Sequence, residues 1–237
     1  MTPTLLRRSV SEFLGTGFLV AAVIGSGIMG ERLAAGNVAI ALLANTIATG
    51  AALVALILTF DPISGAHFNP AVTFVDAVEK GVSWIDVACY VPSQCLGGIS
   101  GAIAAHVMFR LPLISISHHA RAGSAQVFSE FVATFGLLCV IWGCSRHRSE
   151  MVGFAVGAYI SAAYWFTAST SFANPAVTIA RSLSDTFAGI RPSDVSWFIV
   201  AQFLGAVAAT ILFRWLVPNL NLRAKQVLLA HNSDENR

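Results

Sequence analysis

Apolar residues dominate six long stretches of the chain, and the segments between these stretches carry most of its charged residues. A helix needs roughly 20 consecutive apolar residues to cross the hydrocarbon core of a membrane, and each stretch reaches about that length. The pattern therefore predicts six membrane-spanning helices, with both chain ends on the same side. The predicted spans cover residues 10–29, 38–60, 84–109, 125–144, 151–170 and 196–216.

The composition also favours a membrane protein over a soluble one. Hydrophobic residues make up 56% of the 237 residues and charged residues only 11%, which lies well outside the range of soluble globular domains. The formal net charge of +2 is small, and the basic residues are dispersed at the ends of the predicted spans. A nucleic-acid partner is not expected, because it requires a basic patch. The expected surroundings are the lipid bilayer.

The positions of the basic residues predict the orientation of the chain. Lys and Arg are in excess in the cytoplasmic loops of membrane proteins, and basic residues flank the first span, the link between spans four and five, and the end of span six. Both termini are therefore expected in the cytoplasm. The residues that carry this bias are Arg7, Arg8, Arg146, Arg148, Arg214, Arg223 and Lys225.

The chain is an internal duplication, because one motif occurs once in each half. Asn-Pro-Ala-Val-Thr begins at Asn69 and again at Asn174, and the segment Ser-Glu-Phe around Glu12 is repeated around Glu130. Three spans in each half make equivalent spans run in opposite directions, so the repeats are inverted. We expect a single domain over residues 1–237, with repeats at about 9–109 and 125–216 and a polar C-terminal tail at about 219–237.

Each Asn-Pro-Ala motif begins a stretch that is too short to cross a membrane, at about 69–79 and 174–187. Asn is a favoured N-cap and Pro a favoured first helical residue, so we expect two half-helices on re-entrant segments that line a cavity. Both positive helix ends and two Asn amide donors would then meet at the membrane centre. Such a site conducts neutral polar solutes and opposes cations. It consists of Asn69, Pro70, Ala71, Asn174, Pro175 and Ala176.

On these motifs the chain resembles the major intrinsic protein family, the aquaporins and aquaglyceroporins, over nearly its whole length. The resemblance implies an all-α membrane protein with six tilted helices and two re-entrant half-helices, one pore in each protomer, and a homotetramer. It also implies that Glu12 and Glu130 tether the re-entrant segments. The backbone carbonyls that it places along the pore belong to Gly65, Ala66, His67, Thr170, Ser171 and Phe172.

The sequence departs from the family at the narrow outer filter. The family usually has Arg directly after the second Asn-Pro-Ala, and this chain has Val177 there. Motif spacing places the other three filter positions at Thr49, Ala162 and Ser171. Water-selective members usually carry an aromatic residue at the first of these and His at the second. The differences predict a wide, uncharged and mildly polar filter.

Arg181 lies four residues beyond Val177, on the same face of the predicted half-helix. Because helical side chains lean toward the N-terminus, its guanidinium can reach the filter and form a positive outer vestibule. The alternative is that Arg181 stays at the membrane interface and pairs with Asp185 or with nearby carbonyls.

A wide filter predicts a passive channel for small neutral solutes such as water, glycerol, urea and arsenous acid. The run from Asn174 to Arg181 resembles the bacterial aquaglyceroporins associated with arsenic resistance in rhizobia. That resemblance implies arsenite efflux across the inner membrane of a bacterium. A general glycerol, polyol or water facilitator is the alternative within the same class.

A coupled secondary transporter is the alternative from a different class, because transporters also use inverted repeats and broken helices. Transporters usually need ionisable groups in the solute path, and the only mid-span carboxylates that the sequence suggests are the symmetric Glu12 and Glu130. No nucleophile and base, and no set of metal ligands, is evident near the predicted pore. We therefore expect neither an enzyme nor a cofactor or metal.

Overall fold

The computed structural model describes residues 3–217, except for the side chains of Arg146 and His147. The predicted polar tail at about 219–237, with Arg223 and Lys225, lies outside the described residues. Within residues 3–217 the chain is helical and contains no strand. The helices are α1 (Leu5–Leu33), α2 (Val38–Ser64), α3 (Pro70–Val78), α4 (Trp84–Met108), α5 (Ser124–His147), α6 (Val152–Phe166), α7 (Pro175–Arg181) and α8 (Pro192–Leu216).

In the described part of the chain, five helices are long and apolar enough to cross a membrane, namely α1, α2, α4, α5 and α8. Helix α6 has 15 residues, which correspond to about 22 Å of helix, and a 3-10 turn at Ser149–Met151 precedes it. The span predicted at 151–170 is therefore too long, because α6 ends at Phe166 and the chain continues as a non-helical segment. Each of the other five predicted spans lies on one helix, and the helix bounds differ from the predicted bounds by up to five residues.

The two halves of the chain repeat the same packing. Helix α1 packs against α2 and α4, and α5 packs against α6 and α8. A glycine allows the close contact in each half, since a Cβ atom at Gly97 would collide with the backbone of Phe13, and one at Gly205 with the backbone of Phe131. Small residues at such positions let membrane helices approach closely. The half-helices α3 and α7 lie between the two halves and contact each other.

The direction of the helices defines two faces of the molecule. The face that carries the start of α1 and the end of α8 is called the terminal face, and the other is called the opposite face. Two ion pairs join elements at the terminal face, Arg8 with Asp86 at 2.7 Å and Arg214 with Glu79 at 2.6 Å. The half-helix α3 ends toward the terminal face and α7 toward the opposite face.

Large apolar side chains cover the outer surface of the helices. They are exposed on both halves, for example at Phe18, Leu58, Trp197 and Ile211. An outward apolar surface around helices that satisfy their own backbone groups is the arrangement that a bilayer requires. The chain is therefore a multi-pass membrane protein.

Candidate functional site

Each half-helix begins at an asparagine that caps it. The Oδ1 atom of Asn69 accepts a hydrogen bond from the backbone N–H of Ala71 at 3.0 Å, and that of Asn174 accepts one from Ala176 at 3.0 Å. Both asparagines have extended backbone conformations, as N-caps do. Proline occupies the first turn of both helices, at Pro70 and Pro175.

The two asparagine amides connect the two halves at the centre of the molecule. Nδ2 of Asn69 donates to the carbonyl of Ala173 at 2.8 Å, and Nδ2 of Asn174 donates to the carbonyl of Phe68 at 2.7 Å. Each amide NH2 has two hydrogens, so each keeps one further donor. Both asparagines line the same cavity, which makes these donors available to a solute.

A buried glutamate holds the second re-entrant segment. Glu130 is fully buried and accepts from the backbone N–H groups of Phe172 and Ala173, both at 2.9 Å. It also accepts from Nε2 of Gln202 at 2.6 Å, and the same nitrogen lies 2.9 Å from the hydroxyl of Thr178 on α7. Through these hydrogen bonds Glu130 connects α5 to α8 and to the re-entrant segment that precedes α7.

The first half repeats this arrangement around Glu12. The Glu12 carboxylate accepts from the backbone N–H groups of His67 at 3.0 Å and Phe68 at 2.7 Å, and from Nε2 of Gln94 at 2.7 Å. The hydroxyl of Ser64 donates a further hydrogen bond at 2.6 Å. Because Glu12 and Glu130 make equivalent contacts, the two re-entrant segments take up the same conformation on opposite sides of the membrane centre.

Positive φ recurs at equivalent positions of both re-entrant segments, first at two adjacent residues, Gly65 and Ala66 or Thr170 and Ser171, and again at Phe68 or Ala173. Ala66 and Phe68 have φ of 47° and 48°, and the equivalent Ser171 and Ala173 have φ of 50° and 47°. Left-handed conformations cost non-glycine residues roughly 1–2 kcal/mol each, and the two buried glutamates hold the neighbouring N–H groups in place. The segments therefore stay non-helical and keep carbonyl groups free of a helical ladder.

A cavity passes through this centre. It has a volume of about 100 Å³, enough for several water molecules, since one needs about 10–15 Å³. Its lining extends from Asp61 and Ser149 near the terminal face, past both asparagines, to Arg181 near the opposite face. The re-entrant backbones form a polar side. The apolar wall consists of side chains such as Leu19, Val23, Leu53, Leu137, Val156 and Ile160.

Five of the six residues predicted to supply pore carbonyls line the cavity. Thr170 is not part of the cavity lining, and a role for its carbonyl stays a prediction. Its side chain instead faces Arg121, whose Nη1 lies 3.4 Å from the Thr170 hydroxyl and 3.0 Å from the carbonyl of Ser169. The residues that do line the cavity are Gly65, Ala66, His67, Ser171 and Phe172.

Three of the four predicted filter residues, Thr49, Ser171 and Val177, line the cavity, and Ala162 does not. Ala162 is exposed on the outer surface of α6. The inner face of α6 instead presents Tyr164, whose hydroxyl lies 3.2 Å from that of Thr49. The cavity lining beside Thr49 therefore contains an aromatic residue from α6 that motif spacing did not find.

Arg181 lies inside the protein and lines the cavity, with only 2% of its surface exposed. Its Nε donates to the carbonyl of Ala188, and its guanidinium carbon lies 3.4 Å from the ring centre of Phe172. Of the alternatives expected for Arg181, the contact with a nearby carbonyl is present, whereas Asp185 instead binds His118 at 3.0 Å. The cavity lining therefore contains a guanidinium one helical turn beyond Val177, at the end where the uncharged filter was expected.

Sequence reasoning missed several buried charged residues, among them Arg121 and Asp76. Arg121 is mostly buried, and its guanidinium carbon lies 4.9 Å from the ring centre of Phe172. Arg181 contacts the same ring. Asp76 is 1% exposed and lines the cavity near the terminal face. Nothing in the sequence indicates the burial of Arg121. The repeat does indicate Asp76, which follows Asn69 by seven residues as Arg181 follows Asn174.

Comparison with known proteins agrees with this architecture. The profile described as major intrinsic protein matches residues 1–167 and 146–236. The aquaglyceroporin AqpS of Rhizobium meliloti (strain 1021) is 55% identical over 213 residues, which are 90% of this chain and 91% of the relative. Aquaporin NIP1-1 of Oryza sativa subsp. japonica is 31% identical over 208 residues, which are 86% of this chain and 72% of the relative.

The fold is also that of a solved channel. The X-ray structure of the aquaglyceroporin from Plasmodium falciparum superposes with a TM-score of 0.75 at 20% identity, and the match covers 92% of this chain and 100% of that one. This confirms the predicted aquaporin-like fold. Family members are channels and not enzymes, as expected from the sequence. The chain belongs to the major intrinsic protein family.

Proposed function

We propose that the protein is a passive, aquaglyceroporin-type channel that conducts water, glycerol and arsenous acid. The observation that carries this proposal is the cavity with one polar and one apolar side, centred on the donors of Asn69 and Asn174. A small polyol can place its hydroxyls against the amides and carbonyls while its carbon atoms face the apolar wall. The relative from Rhizobium meliloti, named an aquaglyceroporin, supports this solute class.

The charges along the cavity favour neutral solutes. The N-termini of α3 and α7 meet at the centre, each equivalent to about half a positive charge. Arg181 adds a full positive charge toward the opposite face. A cation meets a positive potential at both points, whereas a hydroxyl oxygen accepts hydrogen bonds from the same groups.

The composition of the filter supports solutes larger than water. Val177 and Ser171 are small, and Thr49 stands where water-selective relatives usually carry an aromatic ring. Tyr164 and Arg181 supply a hydroxyl and a guanidinium on the outer side. Arsenous acid is a neutral triol near neutral pH, so it presents hydroxyls as glycerol does, and we assign arsenite as the physiological cargo.

The proposed setting is the inner membrane of a bacterium, with the terminal face in the cytoplasm. Arg8 and Arg214 lie at that face, in line with the excess of basic residues on the cytoplasmic side of membrane proteins. Arsenite would leave the cell down its concentration gradient. A homotetramer is proposed from the family resemblance, with one pore in each protomer and the exposed apolar helix faces forming the contacts.

The filter is tested by light-scattering flux measurements on proteoliposomes that contain wild type, Val177→Arg or Val177→Ile. We expect wild type to conduct glycerol and arsenous acid, and Val177→Arg to lower both fluxes by at least about tenfold by narrowing the filter and adding charge. Val177→Ile is the control for apolar volume and should change them little. Wild-type flux of water alone, insensitive to Val177→Arg, would contradict the assignment. Glycerol flux without arsenous acid flux would indicate a general polyol facilitator.

A further inference from the structure

The cavity contains two buried hydrogen-bond acceptors near the terminal face that no protein donor satisfies. Within residues 3–217, neither carboxylate oxygen of Asp76 has a hydrogen-bond partner, and the same holds for Nε2 of His67. The two side chains are 1% and 2% exposed, and Nε2 lies 3.6 Å from an Asp76 oxygen. Both residues line the cavity. Unsatisfied buried polar groups are rare in native proteins, so such a pair indicates a missing donor.

The neighbouring hydrogen bonds determine which ring nitrogen of His67 carries the proton. The hydroxyl of Thr73 donates its one hydrogen to the carbonyl of Asn69 at 3.0 Å and accepts from Nε2 of Gln94 at 2.9 Å. Nδ1 of His67 lies 3.1 Å from the same hydroxyl oxygen, so it has to be the donor in that contact. In the neutral ring Nε2 then has a lone pair and no hydrogen. His67 and Asp76 therefore both present acceptors to the cavity.

Two charged donors at the terminal face, Arg8 and Arg214, are engaged with other partners. Arg8 is paired with Asp86 at 2.7 Å, and Arg214 with Glu79 at 2.6 Å. The hydroxyl of Tyr90, whose ring contacts His67, donates to the carbonyl of Ser64 at 3.0 Å. The donor that the acceptor pair requires therefore has to come from the cavity.

Local packing keeps the Asp76 carboxylate where it is. The carboxylate lies directly against Gly81, and a Cβ atom at Gly81 would overlap it. Asp76 follows Val72 by one helical turn, and both side chains line the cavity. Val177 and Arg181 hold the equivalent positions in the other half. The cavity thus has an acceptor side chain at one end and a donor side chain at the other.

We propose that Asp76 and His67 form a second solute subsite, specific for neutral solutes with at least two hydroxyl donors. One hydroxyl donates to the Asp76 carboxylate and a second hydroxyl of the same molecule donates to Nε2 of His67. Small polyols and metalloid hydroxides have this chemistry. The proposal rests on the proposed function, and it adds a binding step on the terminal side of the two asparagines.

The test is the concentration dependence of glycerol exchange in proteoliposomes, with water permeability measured on the same vesicles. Wild type should saturate with glycerol. Asp76→Asn and Asp76→Leu should raise the half-saturating concentration by roughly tenfold, the effect expected from the loss of one hydrogen bond to a charged group. Water permeability should stay within about twofold, since a channel lining that keeps its shape still conducts water. The matched control is Glu150→Gln, which removes an exposed carboxylate near the terminal face but outside the cavity lining and should leave the half-saturation unchanged.

Each other outcome overturns the subsite. Wild-type saturation that both Asp76 variants retain, or that Glu150→Gln shifts equally, would show that Asp76 does not bind glycerol specifically. Loss of water and glycerol flux together would show that Asp76 serves the fold. Block of wild-type water flux by Zn²⁺, abolished by Asp76→Asn, would show a metal site instead. If wild type conducts no glycerol at all, the proposed function fails and the subsite fails with it.

Discussion

Removal of Glu130 should release the second re-entrant segment. In Glu130→Ala the backbone N–H groups of Phe172 and Ala173 lose their acceptors, which lie 2.9 Å from each nitrogen. A buried donor left unsatisfied costs about 1–3 kcal/mol, so the two together cost about 2–6 kcal/mol. The Gln202 amide adds less, because it keeps its contact with Thr178 at 2.9 Å.

This loss is large enough to measure as thermal stability. One kcal/mol shifts Tm by about 2–4 °C for a chain of this size, so Glu130→Ala should lower Tm by about 4–24 °C. The assay is the fraction of monodisperse protein in detergent after heating. Glu130→Gln keeps one oxygen acceptor and should fall between wild type and Glu130→Ala. Solute flux should be lost with Glu130→Ala, because Phe172 and Ala173 line the pore.

The matched control is Glu31→Ala, which removes an exposed glutamate near the end of α1. It should leave Tm nearly unchanged. Glu12→Ala should reproduce the effect of Glu130→Ala, because Glu12 accepts from His67 and Phe68 in the equivalent way. A Tm for Glu130→Ala that equals that of Glu31→Ala would refute the reasoning that the buried carboxylate holds the segment.

Three further results are expected. Arg181→Ala should raise the Na⁺ leak of proteoliposomes by about tenfold, since it removes a positive charge from the cavity lining. If both the Na⁺ leak and the arsenous acid flux stayed unchanged, Arg181 would not be the group that excludes cations. Tyr164→Ala should admit polyols longer than glycerol, because the ring contributes to the filter beside Thr49, and the same size exclusion as wild type would argue against it. Hydrogen bonds from His118 hold the pKa of Asp185 below its ordinary range. The stabilisation that these bonds give is therefore complete at neutral pH and is lost as the pH falls through the lowered pKa. Asp185→Asn should lower Tm by at most about 3 °C at pH 7, as for an exposed pair, and should leave Tm unchanged in strong acid.

The central motifs were predictable because the signal is local and occurs twice. Asn69 and Asn174 cap their own helices through bonds to residues two positions away, so the sequence around each motif is sufficient. The equivalence of Glu12 and Glu130 follows from the same duplication. The contact between each asparagine amide and the opposite segment follows from the inverted repeat, although the bonded carbonyls of Phe68 and Ala173 were not identified in advance.

The filter residue on α6 was not predictable from motif spacing. Ala162 was assigned by its distance in sequence from Asn174, and the residues between them include a non-helical segment at 167–174. The length and path of such a segment determine which face of the preceding helix points inward. The face that does so carries Val156, Ile160 and Tyr164 at intervals of four residues. This spacing is visible in the sequence, but only packing shows which face lines the cavity.

The buried charges were missed for a different reason. The guanidinium of Arg121 donates to the carbonyls of Gly189 at 2.8 Å and Ser169 at 3.0 Å. Both carbonyls are distant in the sequence, so the residues around Arg121 give no indication of these contacts. Arg181 was singled out from the sequence, but its bond to the carbonyl of Ala188 depends on the fold of the loop after α7. Asp76 was predictable in principle, because the repeat places it opposite Arg181.

The most direct test of the central claim is the flux of arsenous acid and glycerol through wild-type proteoliposomes in which all ion gradients have been collapsed. A passive pore centred on Asn69 and Asn174 predicts flux that follows the solute gradient alone, in either direction, with no accompanying ion current. Flux that appears only when a proton or Na⁺ gradient is imposed would contradict the account and indicate a coupled transporter.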